Sequence, residues 1–203
     1  MAEKLKIGLI VGTTRDGRFA DRALDWFEGK IAAREDLDYE VLDLREAKLP
    51  FFDEAAPPAA KPVTSPEAQE WERKLEACDG FIVLTAEYNH SIPATIKNAF
   101  DYAFKGWHRK PIGTVGYGGV GAARAVEHLR LIAVNFGMVP VRGAVSIGGA
   151  DFVKASQGTP IAELGDHLDA PARELLDDMV FWGRAAKQAK AEAAREQHRP
   201  AAR

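Results

Sequence analysis

FIVLTAEYNHSIPATIKNAFDY, residues 81–102, decides the fold. Its first part, FIVLTA (81–86), is apolar with little alternation, the pattern of a short strand buried on both faces. The chain then turns polar and aromatic through Glu87, Tyr88, Asn89, His90 and Ser91. Pro93 opens a helix that carries Ile92, Ile96, Ala99, Phe100 and Ala103 on one face. A strand buried on both sides needs helices above and below it, so the stretch implies a sheet with two covered faces. It also places a carboxylate, a phenol, an amide and an imidazole at the carboxyl end of a buried strand, with no nucleophile or metal set beside them.

The same unit recurs in both directions along the chain. LKIGLIV (5–11) is a nearly continuous apolar run, followed by Ala20, Ala23, Leu24, Phe27 and Ile31 at helical spacing. DYEVLDL (38–44) alternates, as a peripheral strand does. Ser65 is the N-cap and Pro66 the first residue of a helix over SPEAQEWERKLEACDG. PIGTVGYG (111–118) is a fourth strand, and the helix after it carries Ala122, Ala125, Val126, Leu129, Ile132, Ala133 and Phe136 before stopping at Gly137. VPVRGAVSI (139–147) supplies a fifth strand. A C-terminal helix follows Ile161, with Leu175, Leu176, Met179, Val180 and Trp182 inward. Strands alternating with helices predict an α/β fold with a five-stranded parallel sheet covered on both faces. Residues 1–190 form one domain, and 191–203 read as a frayed or disordered tail. LPFFDEAAPPAAKPVTSP (49–66) is a long surface excursion rather than a linker.

At 203 residues, 46% hydrophobic and 28% charged, the chain has an ordinary globular composition. A net charge of −3 gives no electrostatic case for nucleic acid or an anionic membrane. The single cysteine, Cys78, excludes an internal disulfide and a cysteine-rich zinc site, and reads as a small buried hydrophobe. The N-terminal MAEKLKIGLIVG lacks a signal-peptide pattern, and no apolar run reaches the ~20 residues that span a bilayer. The expectation is a cytoplasmic protein.

In an open α/β sheet the ligand lies outside the carboxyl ends of the strands. After the first strand, GTTRDGRFADRA (12–23) offers Thr13, Thr14, Arg15 and Arg18 ahead of a helix. Hydroxyls, arginines and helix-terminal N–H groups make an anion site suited to a monophosphate. The run lacks the Lys-Ser/Thr pair of a triphosphate loop and the three-glycine dinucleotide spacing. After the fourth strand, Tyr117, Gly118 and Gly119 put an aromatic beside backbone that a flat ring can approach closely. With the turn at 87–91, these loops describe a pocket for a phosphorylated planar molecule.

The ordered set GTTRDGRFADRAL, LPFFDE, EYNHSIPATIKNAFDY and GYGGVGAARAVEHLR resembles the NADPH-dependent FMN reductase family, which includes quinone, chromate and azo-dye reductases. The resemblance spans residues 5 to roughly 147, and its EYN-x-S-x-P-x-x-x-KNA run is the most diagnostic part. It implies a flavodoxin-like doubly wound sheet of order 2-1-3-4-5, with FMN as cofactor and NAD(P)H as co-substrate. Thr13, Arg15, Arg18 and backbone around Phe19 would then hold the phosphate. Glu87, Tyr88, Asn89 and backbone near Ile92 would line the ring and ribityl chain, with Gly118 and Gly119 against the ring's far edge. Ala86 stands where the family often has Pro, and Thr13 keeps the hydroxyl of the family's Ser. No catalytic side chain or metal is expected, because the flavin carries the chemistry. The acceptor would be a quinone or similar small molecule. A flavodoxin-type electron carrier and a non-catalytic flavin-binding module are the alternatives. A homodimer or homotetramer is implied, with the Pro93 helix and the Phe51-Phe52 loop as candidate contacts.

Other residues have plainer readings. His90 is a solvent-facing loop histidine, and His108, His128 and His167 lack metal-ligand spacing. Lys97 and Asp101 form an i,i+4 ion pair. Trp107 and Phe104 are either core or cleft wall.

Overall fold

The computed structural model describes residues 3–197. In chain order the elements are β1 (Leu5–Val11), α1 (Ala20–Ala32), β2 (Leu37–Asp43), α2 (Leu44–Ala47), α3 (Pro66–Glu76) and β3 (Gly80–Ala86). They continue with α4 (Ala94–Asp101), β4 (Pro111–Tyr117), α5 (Ala123–Asn135), β5 (Val139–Ile147), α6 (Gly149–Ser156) and α7 (Asp169–Gln197). The strands pair in parallel in the order β2-β1-β3-β4-β5, the doubly wound arrangement implied by the resemblance.

The lack of alternation in the strands has a direct cause. Ile82, Leu84 and Ala86 of β3 face one core, packed with Ala23, Phe27 and Ile31 of α1 and Leu175 and Met179 of α7. Phe81 and Val83 face the other, with Trp71 and Leu75 of α3, Ile96 and Phe100 of α4 and Leu129 of α5. Trp107 is core rather than cleft wall: it is fully buried and stacks on Phe100 at 4.4 Å. Phe104 packs against the same core, 5.8 Å from Phe136. Cys78 is buried, and desolvation pushes its thiol up to about 11, which keeps it protonated and unreactive.

The helix boundaries follow local chemistry. Ser65 accepts a hydrogen bond from the Ala68 N–H (3.2 Å), with Pro66 at the first helical position of α3. After α5, Gly137 adopts φ 64°, and the N–H groups of Gly137 and Met138 return to the carbonyls of Val134 (2.9 Å) and Ala133 (3.1 Å).

Three features differ from the expectations. Trp182 is 40% exposed rather than inward. The inward position of that turn is Gly183, where a Cβ would stand 2.7 Å from Leu5 Cδ1, so α7 lies close to β1 there. The helix continues through Gln197, so residues 191–197 are helical where a frayed or disordered tail was expected; alanine, glutamate and arginine are strong helix formers. The rest of that tail lies outside the described residues. Helices α2 and α6 are too short to show a sequence period, and neither is anticipated.

The parallel register fixes where the site lies. Val11 is level with Asp43 and with Leu84, Ala86 with Tyr117, and Tyr117 with Ile147. The loops that begin at residues 12, 87, 118 and 148 therefore leave one edge of the sheet, together with the turn at Asp43.

Candidate functional site

At that edge lies a cavity of about 380 Å³ lined by Thr13, Arg15, Gly17, Arg18, Phe19, Ala86, Glu87, Tyr88, Tyr117, Gly118, Gly119 and Phe152. Most of the expected cofactor residues meet here. Asn89 and Ile92 do not line it. Asn89 (φ 50°) and His90 (φ 68°) are the corner of a two-residue hairpin, closed by Tyr88 N–H to Ser91 O (2.9 Å) and Ser91 N–H to Tyr88 O (3.1 Å). Positive φ at both corner residues is the primed turn that suits a tight hairpin. The hairpin closes the turn that follows Ala86 with two backbone hydrogen bonds. Ile92 faces a separate groove between α4 and α5.

The loop between β1 and α1 is tied down from behind by side chains. Four successive carbonyls are taken by side chains: Gly12 O by Thr95 Oγ1 (2.6 Å), Thr13 O by Arg18 Nη1 (2.5 Å), Thr14 O by Arg45 Nε (3.3 Å) and Arg15 O by Arg45 Nη2 (2.5 Å). Among the described residues, the N–H groups of Thr14 through Phe19 donate to no protein acceptor. Acceptors satisfied behind the loop and free donors ahead of a helix N-terminus form the nest that anions occupy. Arg15 reaches the cavity as an exposed side chain.

Arg18 lines the cavity and is also tied into the fold. Its guanidinium is buried and forks onto Asp43, Nη1 to Oδ1 at 2.7 Å and Nη2 to Oδ2 at 2.5 Å, with Nε on Asp21 at 2.7 Å. Together with Thr13 O these partners leave it one free N–H, so it shapes the loop more than it offers charge to a ligand. Burial disfavours the Asp43 carboxylate, yet the bonds from Arg18 and from the Arg45 N–H hold its pKa below the usual aspartate value.

One side of the cavity is aromatic. Phe19 lies 5.0 Å from Tyr117 and 4.9 Å from Phe152 between ring centroids. Thr13 Oγ1 and the Tyr117 hydroxyl share a hydrogen bond of 3.1 Å in a buried setting. Burial pushes the Tyr117 phenol up to about 12, so it is neutral and acts as a hydrogen-bonding group. A Cβ at Gly118 or Gly119 would meet nothing within 4 Å, so the floor is open for a flat group to lie against backbone. Gly118 also holds φ 139°, which side chains rarely adopt.

Glu87 is bound to the fold rather than free. Its carboxylate pairs with the Arg124 guanidinium and accepts the Arg124 N–H at 3.1 Å. That N–H belongs to the first turn of α5, whose N-cap Ala122 has no capping side chain, so Glu87 caps the helix from a neighbouring loop. Burial would raise the Glu87 pKa, but Arg124 and the α5 backbone outweigh it and hold the value below the ordinary one. A carboxyl with a depressed folded pKa stabilises the fold fully above its unfolded pKa, about 4.3, and loses that contribution as pH falls through the folded value. Glu87→Gln is expected to flatten the wild-type loss of stability below about pH 4.3, measured by urea unfolding between pH 3 and 7. An unchanged acid limb in the variant would remove this role.

Thr95, Asp43, Arg45, Arg124 and Phe152 were not anticipated. For Asp43 and Arg45 a signal existed, because DLRE follows the second strand at its carboxyl end. Arg124, Thr95 and Phe152 sit on helix positions whose relation to the cavity comes only from packing. The remaining polar readings are structural. Lys97 pairs with Asp101 at 2.6 Å, His128 Nδ1 meets Ser91 Oγ at 3.0 Å, and His90 Nε2 lies 3.1 Å from Arg124 Nη1.

Comparison with known proteins agrees with this geometry. The family model described as NADPH-dependent FMN reductase matches residues 5–151. The chain is 30% identical over 168 residues to an NAD(P)H-dependent FMN reductase of Schizosaccharomyces pombe, covering 80% of this chain and 83% of that protein. It is 28% identical over 142 residues to a 2-hydroxy-1,4-benzoquinone reductase of a Burkholderia species, covering 66% and 73%. In fold it is similar to FerB, a flavoenzyme NAD(P)H:(acceptor) oxidoreductase from Paracoccus denitrificans, with a TM-score of 0.58 at 22% identity over 86% of this chain and 98% of that one. A family match across most of the chain, together with the motifs that build the cavity, settles the assignment: the chain belongs to the NADPH-dependent FMN reductase family.

Proposed function

We propose that the cavity holds FMN and that the protein is an NAD(P)H-dependent oxidoreductase passing reducing equivalents to a quinone or a similar small acceptor. The row of free N–H groups from Thr14 to Phe19, with every carbonyl from Gly12 to Arg15 occupied behind it, carries this reading. It fits a phosphate monoester at one end of a cavity whose other end is aromatic and glycine-floored. When bound there, FMN would supply the redox chemistry that links the nicotinamide to the acceptor.

The chain's own residues do the rest. The 14–19 backbone and Arg15 bind the phosphate, and Thr13 and Tyr117 orient the loop beneath it. Phe19, Tyr117 and Phe152 exclude water from the ring end. No carboxylate of the cavity is a free base, since Glu87 is held by Arg124. A single open cavity supports the nicotinamide and the acceptor entering in turn, with ping-pong kinetics. Its aromatic wall suits a planar acceptor, and a quinone reductase is among the relatives. The flavodoxin-type carrier and the non-catalytic flavin module differ from this reading in turnover. FMN-loaded protein is expected to bleach anaerobically with NADPH and to recover its yellow colour on adding a benzoquinone, followed at the flavin absorption band. Protein that takes up no FMN, or takes it up and is not bleached, would refute the reading.

A homo-oligomer joined across the α4–α5 groove accompanies this proposal. The groove is lined by Phe51, Ile92, Leu131 and Ile132, and Phe51 is 83% and Leu131 73% exposed. Leu131→Glu is expected to lower the sedimenting mass to that of one chain. No change in mass, or a wild type already monomeric, removes that interface.

A further inference from the structure

We propose that Arg45 is a positioning residue for the flavin phosphate, acting from behind the cradle without touching the ligand; this rests on the reading of the cavity as an FMN site. Arg45 is half-buried in the first turn of α2, directly after β2, and its fork spans two consecutive carbonyls of the β1–α1 loop, Thr14 O and Arg15 O. Its placement is itself secured. Asp43 Oδ1 accepts the Arg45 N–H at 2.8 Å, while both oxygens of the same carboxylate hold Arg18. One carboxylate at the end of β2 therefore ties together the two arginines that hold the carbonyls of Thr13, Thr14 and Arg15.

The physical consequence concerns peptide orientation. A peptide plane in a loop can present either its N–H or its C=O to a ligand, and a phosphate is attracted by the first and repelled by the second. Holding the Thr14 and Arg15 carbonyls on a cation at the rear turns the N–H groups of the same two peptide planes, those of Arg15 and Asp16, to the other side. The ordering cost of the loop is then met during folding rather than at binding. The Arg45 charge lies on the carbonyl side, so it is not counted among the phosphate's own ligands.

A residue that only stabilised the fold would weaken all flavins alike. One that organises the phosphate cradle should weaken FMN and leave riboflavin, which lacks the phosphate, unaffected. The test is titration of FMN and of riboflavin into flavin-free wild type, Arg45→Met and Arg45→Gln, read by flavin fluorescence; the two variants are made so that one folded protein suffices. In either variant FMN affinity is expected to fall by about ten-fold or more, the scale of losing charge-assisted hydrogen bonds, with riboflavin affinity unchanged within about two-fold. A variant that keeps the wild-type ratio of FMN to riboflavin affinity, whether both fall or neither does, overturns the role of Arg45. A wild type that binds FMN no better than riboflavin refutes the phosphate reading of the cradle first, and the inference with it.

Discussion

Asp43→Ala is expected to lower folding stability by about 3 kcal/mol and Tm by about 6–12 °C, because it strands a buried guanidinium. The Arg18 side chain is 5% exposed, and Asp43 supplies two of its four hydrogen bonds. Removing the carboxylate leaves the cation with Asp21, which is half exposed, and with a backbone carbonyl. The cost is placed at the low end for a buried pair because Asp43 itself keeps some contact with water. The Arg45 N–H loses its cap in the same step. Acid gives an independent check. The depressed Asp43 pKa means that its contribution is complete above the unfolded aspartate value, about 3.9, and is lost as pH falls through the folded one. The gap between wild type and Asp43→Ala should thus be widest at neutral pH and narrow in acid. Urea unfolding at pH 7 and near pH 3 measures both; a gap below about 1 kcal/mol at pH 7 would show that the pair contributes little.

Gly119→Leu is expected to abolish useful FMN binding while leaving the fold intact. A Cβ at Gly119 meets nothing within 4 Å, and its backbone is not in the left-handed region, so the fold has room for a side chain and stability should change by less than about 0.5 kcal/mol. Yet Gly119 lines the cavity, opposite the Phe19 and Tyr117 wall in the proposed arrangement. A leucine there occupies the space proposed for the flavin ring, and FMN affinity should drop by about 100-fold or more, the equivalent of ~2.7 kcal/mol. The experiment pairs a thermal melt with an FMN titration. Wild-type affinity with an unchanged melt would move the ring away from Gly119; riboflavin should suffer the same loss as FMN, since this end of the site does not read the phosphate.

The parts of the site that were legible lie next to strand ends. Thr13, Tyr88 and Tyr117 each follow or close an apolar run, and in a parallel sheet every such position returns to the same edge. That topology turns a distance of about a hundred residues along the chain into a 3.1 Å hydrogen bond between Thr13 and Tyr117. Helix-borne partners were not legible in this way. Phe152 belongs to an eight-residue helix with one buried residue, too short to display a period, and yet its ring meets Phe19. Trp182 shows the same limit from the other side: its spacing fits the inward stripe of α7, but Gly183 is the residue that lies against Leu5 and the indole is left exposed.

By itself the sequence determined the strand and helix order, the two covered faces of the sheet, the edge at which a ligand lies and the family to which the chain belongs. Those properties depend on local hydrophobic period and on motifs a few residues long. Only the tertiary structure decided what the charged groups do. Arg18 and Glu87, both expected at the cofactor, line the cavity and are also paired with Asp43 and Arg124. A long charged side chain can turn toward a ligand or toward the fold, and the choice depends on which opposite charge lies within hydrogen-bond reach. Asp43 is 25 residues from Arg18 and Arg124 is 37 from Glu87, separations that only the assembled sheet closes.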